Sequence, residues 1–288
     1  SRREGCNMNR TGLVLEGGAM RGIYTAGVLD VFLEEGIHFD GVIGVSAGAI
    51  HGISYVAKQK GRSIRYYKKY CKDRRFMSFW SLLTTGSIVG EKFCYHDLPE
   101  KLDPFDYEAF DHSDTEFYAV CTNLETGRAE YLKITNAREQ MDLLKASASM
   151  PYVSKIVDWE GKKLLDGGCA DSIPVRAFQS MGFDKNVVVL TREDGYVKLP
   201  ENAGMARTVY RKYPLFARTI AGRYENYNRT VRDIKGMEEK GEIFVIRPSV
   251  RLTIPRMSHD REELQKVYDI GRRDAKKRLT EMKNWLEG

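Results

Sequence analysis

The chain has 288 residues, of which 42% are hydrophobic and 30% charged, with a formal net charge of +6. This length can bury a substantial core, either as one large α/β domain or as one domain with an added helical part. No run of 18 apolar residues occurs, which excludes a membrane-spanning helix, and five scattered cysteines without zinc-type spacing indicate a cytoplasmic protein.

Residues 1–9 are polar and begin without methionine, so we predict a disordered or expression-derived tail, with Met8 as the natural start. Residues 11–16 predict a strand, and residues 23–35 predict a largely buried helix that Gly36 ends. Between them, the glycine-rich turn Gly17–Gly22 gathers backbone N–H groups in one place, which suits an oxyanion or a phosphate.

The same turn is compatible with a dinucleotide site. That interpretation is weak, because a Rossmann unit carries its ribose-binding acid after the second strand, whereas Asp40 precedes it here. The second strand leads into Ser46 instead. We therefore favour acyl-transfer chemistry over cofactor binding at these two strand ends.

Residues 40–48 read Asp-Gly-Val-Ile-Gly-Val-Ser-Ala-Gly, a short buried strand entering a turn. Gly44, Ser46 and Gly48 give the G-x-S-x-G pattern of a nucleophile elbow. At such a corner the serine hydroxyl projects clear of the sheet, and glycines two residues away leave room for it. The pattern is common by chance, and an ordinary glycine-tightened turn is the alternative.

A basic run follows, in which nine Lys or Arg lie between Lys58 and Arg75 with Asp73 as the one acid. Two interpretations of this run are open, a solvated helix face and contact with an anionic membrane surface. Nucleic acid binding is not expected, because no binding motif accompanies the charge. The apolar residues 76–89 are predicted either to line an acyl pocket or to pack in the core.

The remaining pattern alternates strands and helices. Strands are predicted at 116–122, 128–134, 186–191 and 242–246, with two short strands between Lys155 and Asp166. Helices are predicted at 137–149, 174–181 and about 261–286, and residues 200–240 are mainly helical. Ser258 is the expected N-cap of the last helix.

Leu164-Leu165-Asp166-Gly167-Gly168 brings an acid to a glycine turn, which alone indicates only a turn between strands. Together with Gly17–Gly22 and Ser46, in this order and at similar separations, it resembles the patatin-like phospholipases. Their pattern is a glycine-rich loop with an arginine, a G-x-S-x-G serine and an Asp-Gly-Gly or Asp-Gly-Ala aspartate. The segment Ala146–Pro151 is also similar to the Ala-Ser-x-Ala-x-Pro segment of that family.

The resemblance implies a three-layer α/β/α sandwich with a mostly parallel central sheet, plus a helical C-terminal addition. Residues 10–191 would form the catalytic core, and residues 192–288 a mainly helical part packed on the same domain. It also implies a lipid acyl hydrolase that uses a Ser-Asp dyad, without metal or cofactor. The substrate preference and the oligomeric state stay open.

In this scheme Ser46 is the nucleophile and Asp166 takes its proton, which requires Asp166 in a dry cleft because an ordinary aspartate is a weak base at neutral pH. The oxyanion would be held by amides of Gly17, Gly18 and Ala19, with Ala47 as a further donor. Ala19 stands where the family usually has glycine, so either it has an ordinary conformation or the loop is slightly strained. Supporting positions are Arg21 and Gly22 in the loop, Gly44 and Gly48 at the elbow, and Gly167 and Gly168 after the aspartate.

Two alternatives remain. A Ser-His-Asp esterase would need its histidine after the acid, which leaves only His259. A non-catalytic, membrane-associated binding or scaffold protein could use the same fold, since filled motifs do not prove turnover.

Overall fold

The computed structural model describes residues 9–72, 93–255 and 260–288. Within these residues lies one eight-stranded sheet. Seven of its strands have the order β5-β6-β3-β2-β1-β7-β8, and the eighth, β4, pairs with β3 outside this order. The strands are β1 (Arg10–Leu15), β2 (Gly41–Val45), β3 (Glu116–Asn123), β4 (Ala129–Ile134), β5 (Val157–Trp159), β6 (Lys162–Asp166), β7 (Phe183–Val189) and β8 (Ile243–Ile246).

The middle of the sheet is parallel. β1 pairs in parallel with β2 on one side and β7 on the other, and β2–β3 and β7–β8 extend this order. The antiparallel pairs β3–β4, β3–β6 and β5–β6 form one margin. Because the carboxyl ends of parallel strands share one edge, the residues after β1, β2 and β7 meet there.

Alternate side chains of the strands enter two separate cores, which defines three layers. Leu13 and Leu15 face one core, where helices from both halves of the chain pack. Val14 and Val188 face the other core. The predicted α/β/α sandwich with a mostly parallel sheet is therefore confirmed.

The helices fall close to their predicted positions. They are α1 (Gly22–Glu34), α2 (Ala47–Val56), α3 (Arg62–Tyr70), a π-helical segment (Phe93–Leu102), α4 (Tyr107–Asp111), α5 (Ala137–Ser147), α6 (Val175–Ser180), α7 (Ala203–Val209), α8 (Pro214–Ala221), α9 (Arg223–Glu239) and α10 (Arg261–Glu287). Among the described residues, none of these helices is long and apolar enough to cross a membrane.

The first and last helices pack backbone to backbone. A Cβ atom on Gly271 of α10 would lie 2.0 Å from the Tyr24 carbonyl oxygen of α1, and one on Gly27 would lie 2.2 Å from that of Tyr268. Two reciprocal hydrogen bonds join the same helices, from Tyr24 to Asp274 at 2.9 Å and from Tyr268 to Asp30 at 2.6 Å. These buried contacts attach the C-terminal helix to the start of the fold.

The start of α10 differs from the prediction. Asp260, rather than Ser258, is the N-cap, and its carboxylate accepts hydrogen bonds from the amides of Glu262 and Glu263. An aspartate caps as well as a serine does, and its charge also suits the positive end of the helix.

Part of the basic run is engaged within the fold. Four of its cations make hydrogen bonds or ion pairs with neighbouring elements, and Arg62 is 5% exposed. The contacts are Lys60 with Glu34, Arg62 with the Asp103 carbonyl, Arg65 with the Asp103 carboxylate, and Lys68 with Gln265. Membrane contact by this run stays a prediction, with fewer cations available for it. Residues 73–75 and the apolar residues 76–89 lie outside the described part.

Candidate active site

Ser46 occupies the corner between β2 and α2 with φ 55° and ψ −121°. A non-glycine residue adopts such angles rarely, and the strain is typical of a nucleophile elbow. The two flanking glycines are required by close approach: a Cβ on Gly44 would lie 2.5 Å from the Ala49 backbone, and one on Gly48 would lie 2.5 Å from the Leu15 carbonyl oxygen. The sequence prediction of a tight strand-to-helix turn is confirmed.

Asp166 ends β6 and is 7% exposed. Its Oδ1 accepts a hydrogen bond of 2.7 Å from the Gly168 amide. Its backbone is fixed on both sides, since its amide donates to the Ser149 carbonyl at 2.8 Å and its carbonyl accepts from the Thr122 hydroxyl at 2.8 Å. Gly167 fits because a Cβ there would lie 2.2 Å from the Val120 carbonyl oxygen.

The structure brings Ser46 and Asp166 into the wall of one cavity, where the serine hydroxyl is near enough to the carboxylate to favour its charged form. Burial raises the pKa of Asp166 above its usual value, while the Arg223 charge, the Gly168 amide and the Ser46 hydroxyl oppose that shift. Loss of solvent disfavours the charged form, so the carboxylate becomes a stronger base than an exposed aspartate. The predicted scheme requires a buried carboxylate, and the role of Asp166 as the base stays a prediction.

The glycine-rich loop lies directly against the elbow. A Cβ on Gly17 would be 2.8 Å from the Val45 carbonyl oxygen and 3.1 Å from the Ser46 Cβ, so only glycine allows this approach. Ala19 has φ 50°, which answers the question left open by the sequence: the alanine is in the left-handed region, at a cost of about 1 to 2 kcal/mol. Among the described residues, the amides of Gly17, Gly18 and Ala19 have no acceptor.

The other predicted loop and helix positions lie nearby. Ala47 begins α2 but does not line the cavity beside Ser46. Gly22 lets the loop pack on α2, since a Cβ there would lie 2.7 Å from the Ala47 Cβ. The Arg21 amide closes the loop by donating to the Gly18 carbonyl at 2.9 Å, while its guanidinium lines the cavity.

Ser147 supports the elbow and had no predicted role. Its hydroxyl accepts a 2.9 Å hydrogen bond from the Ser46 amide and donates a 2.6 Å bond to the Val120 carbonyl. The first bond holds the backbone of Ser46 in its strained conformation. Ser147 belongs to the Ala146–Pro151 segment that resembles the family, so its position in that motif was the available signal.

A cavity of about 190 Å³ opens beside the two residues. Its wall combines the loop, Ser46 and Asp166 with charged side chains from distant parts of the chain. These side chains, which the sequence analysis did not assign, are Glu16, Arg192, Lys198, Glu201 and Arg223. Lys198 precedes α7 and Arg223 begins α9, so the C-terminal part of the chain contributes to the wall.

Glu16 connects the elements around this cavity. Its buried carboxylate accepts hydrogen bonds from the Thr191 amide at 2.7 Å, from the Thr191 hydroxyl at 3.0 Å and from the Tyr227 hydroxyl at 2.7 Å. The Thr191 hydroxyl lies 2.6 Å from the Gly17 carbonyl. This network attaches the end of β1 to the segment after β7 and to α9.

Histidines are not part of the cavity wall in the described residues. His38 contacts Asp114, His112 contacts the Glu108 carbonyl, and burial lowers the pKa of His51 to about 3. His259, the histidine required by the esterase alternative, lies outside the described residues. Within the described residues, no cluster of three or more His, Cys, Asp or Glu side chains could hold a metal ion.

Fold and site together define an α/β protein in which a nucleophile-elbow serine contacts a buried carboxylate. The family model described as patatin-like phospholipase matches residues 13–178. This chain belongs to the patatin-like phospholipase family. A second family model, described as a domain of unknown function (DUF6363), matches residues 213–287.

Similar proteins include the uncharacterized protein YjjU of Escherichia coli K12, 30% identical over 188 residues, which cover 63% of this chain and 52% of YjjU. Lysophospholipase nte1 of Aspergillus oryzae is 29% identical over 178 residues, or 60% of this chain and 11% of the fungal protein. The chain thus spans about half of YjjU and about a tenth of nte1. The crystal structure of VipD from Legionella pneumophila aligns with a TM-score of 0.47 and 14% identity, over 95% of this chain and 67% of that one.

Proposed function

We propose that this protein is a lipid acyl hydrolase that cleaves carboxylic esters through a serine acyl-enzyme, with Asp166 as the general base. The observation that carries the proposal is that the strained elbow serine Ser46, the buried Asp166 carboxylate and the glycine-rich loop line one cavity, with the Ser46 hydroxyl near enough to favour the charged carboxylate. Family membership supports ester chemistry on lipids, and similarity to proteins named lysophospholipases points the same way.

In the first half of the reaction the Ser46 oxygen attacks the ester carbonyl carbon while its proton passes to Asp166. The carbonyl oxygen then carries the negative charge, and the amides of Gly17, Gly18 and Ala19 without an acceptor are positioned to stabilise it. Each such donor typically lowers the barrier by about 3 to 4 kcal/mol. The intermediate collapses when Asp166 returns the proton to the departing alcohol, which leaves the acyl group on Ser46.

In the second half, water attacks the acyl carbonyl and gives its proton to Asp166. The same amides hold the second oxyanion, and its collapse releases the fatty acid and restores the Ser46 hydroxyl. Asp166 therefore has to gain and lose a proton in each half. Burial that raises its pKa brings it closer to the operating pH, where a general base is most effective.

We also propose that residues 192–288 are part of the same domain as residues 10–191. β8 pairs with β7 of the central sheet, and α10 packs on α1. Arg223 and Lys198 line the cavity of Ser46. These contacts support a catalytic unit that needs both parts of the chain.

Labelling with a fluorophosphonate tests the nucleophile directly. The native protein should form a covalent adduct on Ser46, which mass spectrometry of the digested protein locates, and heat-unfolded protein should not. Ser46→Ala should abolish labelling while the melting temperature stays close to that of the native chain. Equal labelling of native and unfolded samples, or none in either, would favour the non-catalytic binding alternative.

The Arg223 charge should set the acid limb of the pH profile. Because this cation stabilises the Asp166 carboxylate, Arg223→Gln should raise the pKa of Asp166 further and move the fall of kcat/KM at low pH toward neutral pH. The base form is the active one, so activity is lost as pH falls through that pKa. The measurement is kcat/KM for a neutral activated ester against pH. The control variant Arg229→Gln, at an exposed position of the same helix, should leave the acid limb at its native pH. If the acid limb of Arg223→Gln stays at the native pH or moves to lower pH, the assignment of Asp166 as the titrating base is contradicted.

A further inference from the structure

Apolar side chains that face solvent are concentrated in one stretch of the chain. Six large hydrophobic residues of the described part are strongly exposed, and five of them lie between residues 197 and 215. These five are Val197, Leu199, Met205, Val209 and Leu215. Single exposed apolar side chains are common on protein surfaces, whereas a cluster of them needs a physical reason.

Three of these side chains lie on α7 and α8, which pack against each other. Met205 and Val209 are four residues apart in α7 and therefore share one face of that helix, and Leu215 lies in the first turn of α8. The opposite side of the helix pair is buried in a small core that reaches the surroundings of Asp166. This core contains Leu124, Leu165, Cys169, Ala206, Tyr210, Phe216, Ala217 and Ile220. The three exposed side chains thus lie on the outer face of the pair, away from this core.

The same stretch carries positive charge alone. Between residues 202 and 224 the sequence contains no Asp or Glu. Four bases of this stretch are exposed, and none of them has an ion-pair partner in the part of the chain that the structure describes. They are Arg207, Arg211, Lys212 and Arg218. Other exposed bases do have such partners: Arg176 pairs with Asp233 and Lys235 with Asp194.

The helix pair adjoins the cavity of Ser46 at both of its ends. Glu201, two residues before α7, and Arg223, two residues after α8, both line that cavity. Between these two positions, the Tyr210 hydroxyl accepts a 2.6 Å hydrogen bond from the Tyr152 amide, close to Met150 of the cavity wall. The pair is therefore fixed beside the cavity, with its outer face toward solvent.

We propose that the outer face of α7 and α8 is a docking surface for an anionic lipid membrane. Met205, Val209 and Leu215 enter the boundary between headgroups and acyl chains, and the four exposed bases meet the headgroups. Apolar area buried in the interface and attraction to anionic lipids together set the strength of such binding. Each base close to the membrane surface strengthens it about fivefold. Docking is independent of ester hydrolysis, whereas its consequence for turnover rests on the proposed function.

The charge pattern favours a membrane over a second copy of this chain. A symmetric dimer pairs one surface patch with the same patch of its partner, so four unpaired bases would face four more. Like charges that meet in this way oppose association. An anionic membrane supplies the opposite charge over a wide area and an apolar layer beneath it. Because the docking surface lies beside the cavity, binding also places Ser46 close to the lipids.

Vesicle cosedimentation tests the docking surface without catalysis, because the full chain with Ser46→Ala can be used. Vesicles of phosphatidylcholine with about 30% phosphatidylglycerol should bind it about tenfold more tightly than pure phosphatidylcholine vesicles, and about 0.5 M salt should remove most of this difference. Val209→Ser should weaken binding to the anionic vesicles about fivefold. The double variant Arg211→Gln/Lys212→Gln should weaken it about tenfold or more.

Two matched controls make the assignment specific. Val250→Ser removes an exposed apolar side chain outside the docking surface, and Lys69→Gln/Lys72→Gln removes two exposed bases of the basic run. Neither control should change vesicle binding. Absence of binding to anionic vesicles, or equal binding to neutral ones, overturns the docking surface. Loss of binding in Lys69→Gln/Lys72→Gln, with none in the variants of α7 and α8, assigns membrane contact to the basic run instead.

Analytical ultracentrifugation tests the alternative occupant. A dimer that Val209→Ser dissociates would assign the outer face to a second copy of the chain and overturn the membrane proposal. We expect the native sedimentation behaviour to be unchanged in this variant.

Turnover separates the docking surface from the proposed hydrolysis. With Ser46 present, Val209→Ser should hydrolyse dissolved 4-methylumbelliferyl acetate at the native rate, but 4-methylumbelliferyl oleate embedded in anionic vesicles about fivefold more slowly. Equal loss on both esters, or native rates on both despite weaker vesicle binding, overturns the role of docking in turnover. If the native protein cleaves neither ester while Ser46→Ala protein binds the vesicles as expected, the proposed hydrolysis fails and the docking surface stands.

Discussion

Asp166→Asn should reduce kcat/KM for a short activated ester by about a thousandfold or more. The amide keeps the size of the side chain and an oxygen that can accept the 2.7 Å hydrogen bond from Gly168, but it cannot take the proton of Ser46. The melting temperature at pH 7 should be unchanged or higher. Burial raises the pKa of Asp166, which means that the ionised carboxylate destabilises the folded state above that pKa, and a neutral amide removes this cost.

Two matched variants make the result specific. Asp171→Asn changes the same functional group five residues away, where the carboxylate accepts a hydrogen bond from the Tyr131 hydroxyl, and activity should be retained. His259→Ala tests the Ser-His-Asp alternative and should leave turnover nearly intact. A thousandfold loss in His259→Ala, together with a small effect of Asp166→Asn, would replace the dyad with a histidine-dependent mechanism.

Much of the fold was predictable because its signals are local. The apolar pattern of β1, the helical spacing of α1 and the stop at Gly36 each depend on neighbouring residues, and the structure confirms them. The elbow was predictable for the same reason, since its strain and its two glycines lie within five residues. Asp166 was identified through its resemblance to a family motif rather than through its own surroundings.

The rest of the site could not be predicted because it is built from contacts distant in sequence. Arg223 lies 57 residues after Asp166, and nothing near it in the chain distinguishes it from other arginines in a helical, basic region. Glu16 follows β1 like an ordinary strand-end acid, and only the sheet order reveals its hydrogen bonds to Thr191 and Tyr227. Such electrostatic partners become visible once β1, β7 and α9 are placed side by side.

The basic run shows how a strong local signal can leave two interpretations open. Nine cations between Lys58 and Arg75 were compatible with a solvated helix face or with an anionic membrane surface, and in the structure Arg62 is buried and Arg65 is paired with Asp103. A side chain with a long apolar stem can lie within the fold while its charge is neutralised, and composition alone does not reveal this. The cations that line the cavity of Ser46 are instead scattered along the chain, and composition does not single them out.

Gly271→Ala should destabilise the protein strongly, because the added methyl group meets backbone atoms of α1. The new Cβ would lie 2.0 Å from the Tyr24 carbonyl oxygen and 2.9 Å from its carbonyl carbon, which are backbone atoms of α1 and cannot turn aside as a side chain can. The helices would have to separate. That separation would also strain the Tyr24–Asp274 and Tyr268–Asp30 hydrogen bonds. We expect a loss of about 2 to 3 kcal/mol in the free energy of unfolding, measured by urea denaturation.

Gly236→Ala provides the control, because it makes the same substitution inside another long helix, α9, where a Cβ would meet nothing within 4 Å. There the only effect is the better helix propensity of alanine, which should stabilise the protein by up to about 1 kcal/mol. The two variants should thus shift stability in opposite directions. If Gly271→Ala also stabilised the chain, α1 and α10 would not be in backbone contact, and the attachment of the C-terminal helix to the catalytic core would have to be abandoned. A destabilised Gly271→Ala protein with parallel loss of ester hydrolysis on heating would instead show that residues 192–288 and the Ser46 site unfold as one cooperative unit.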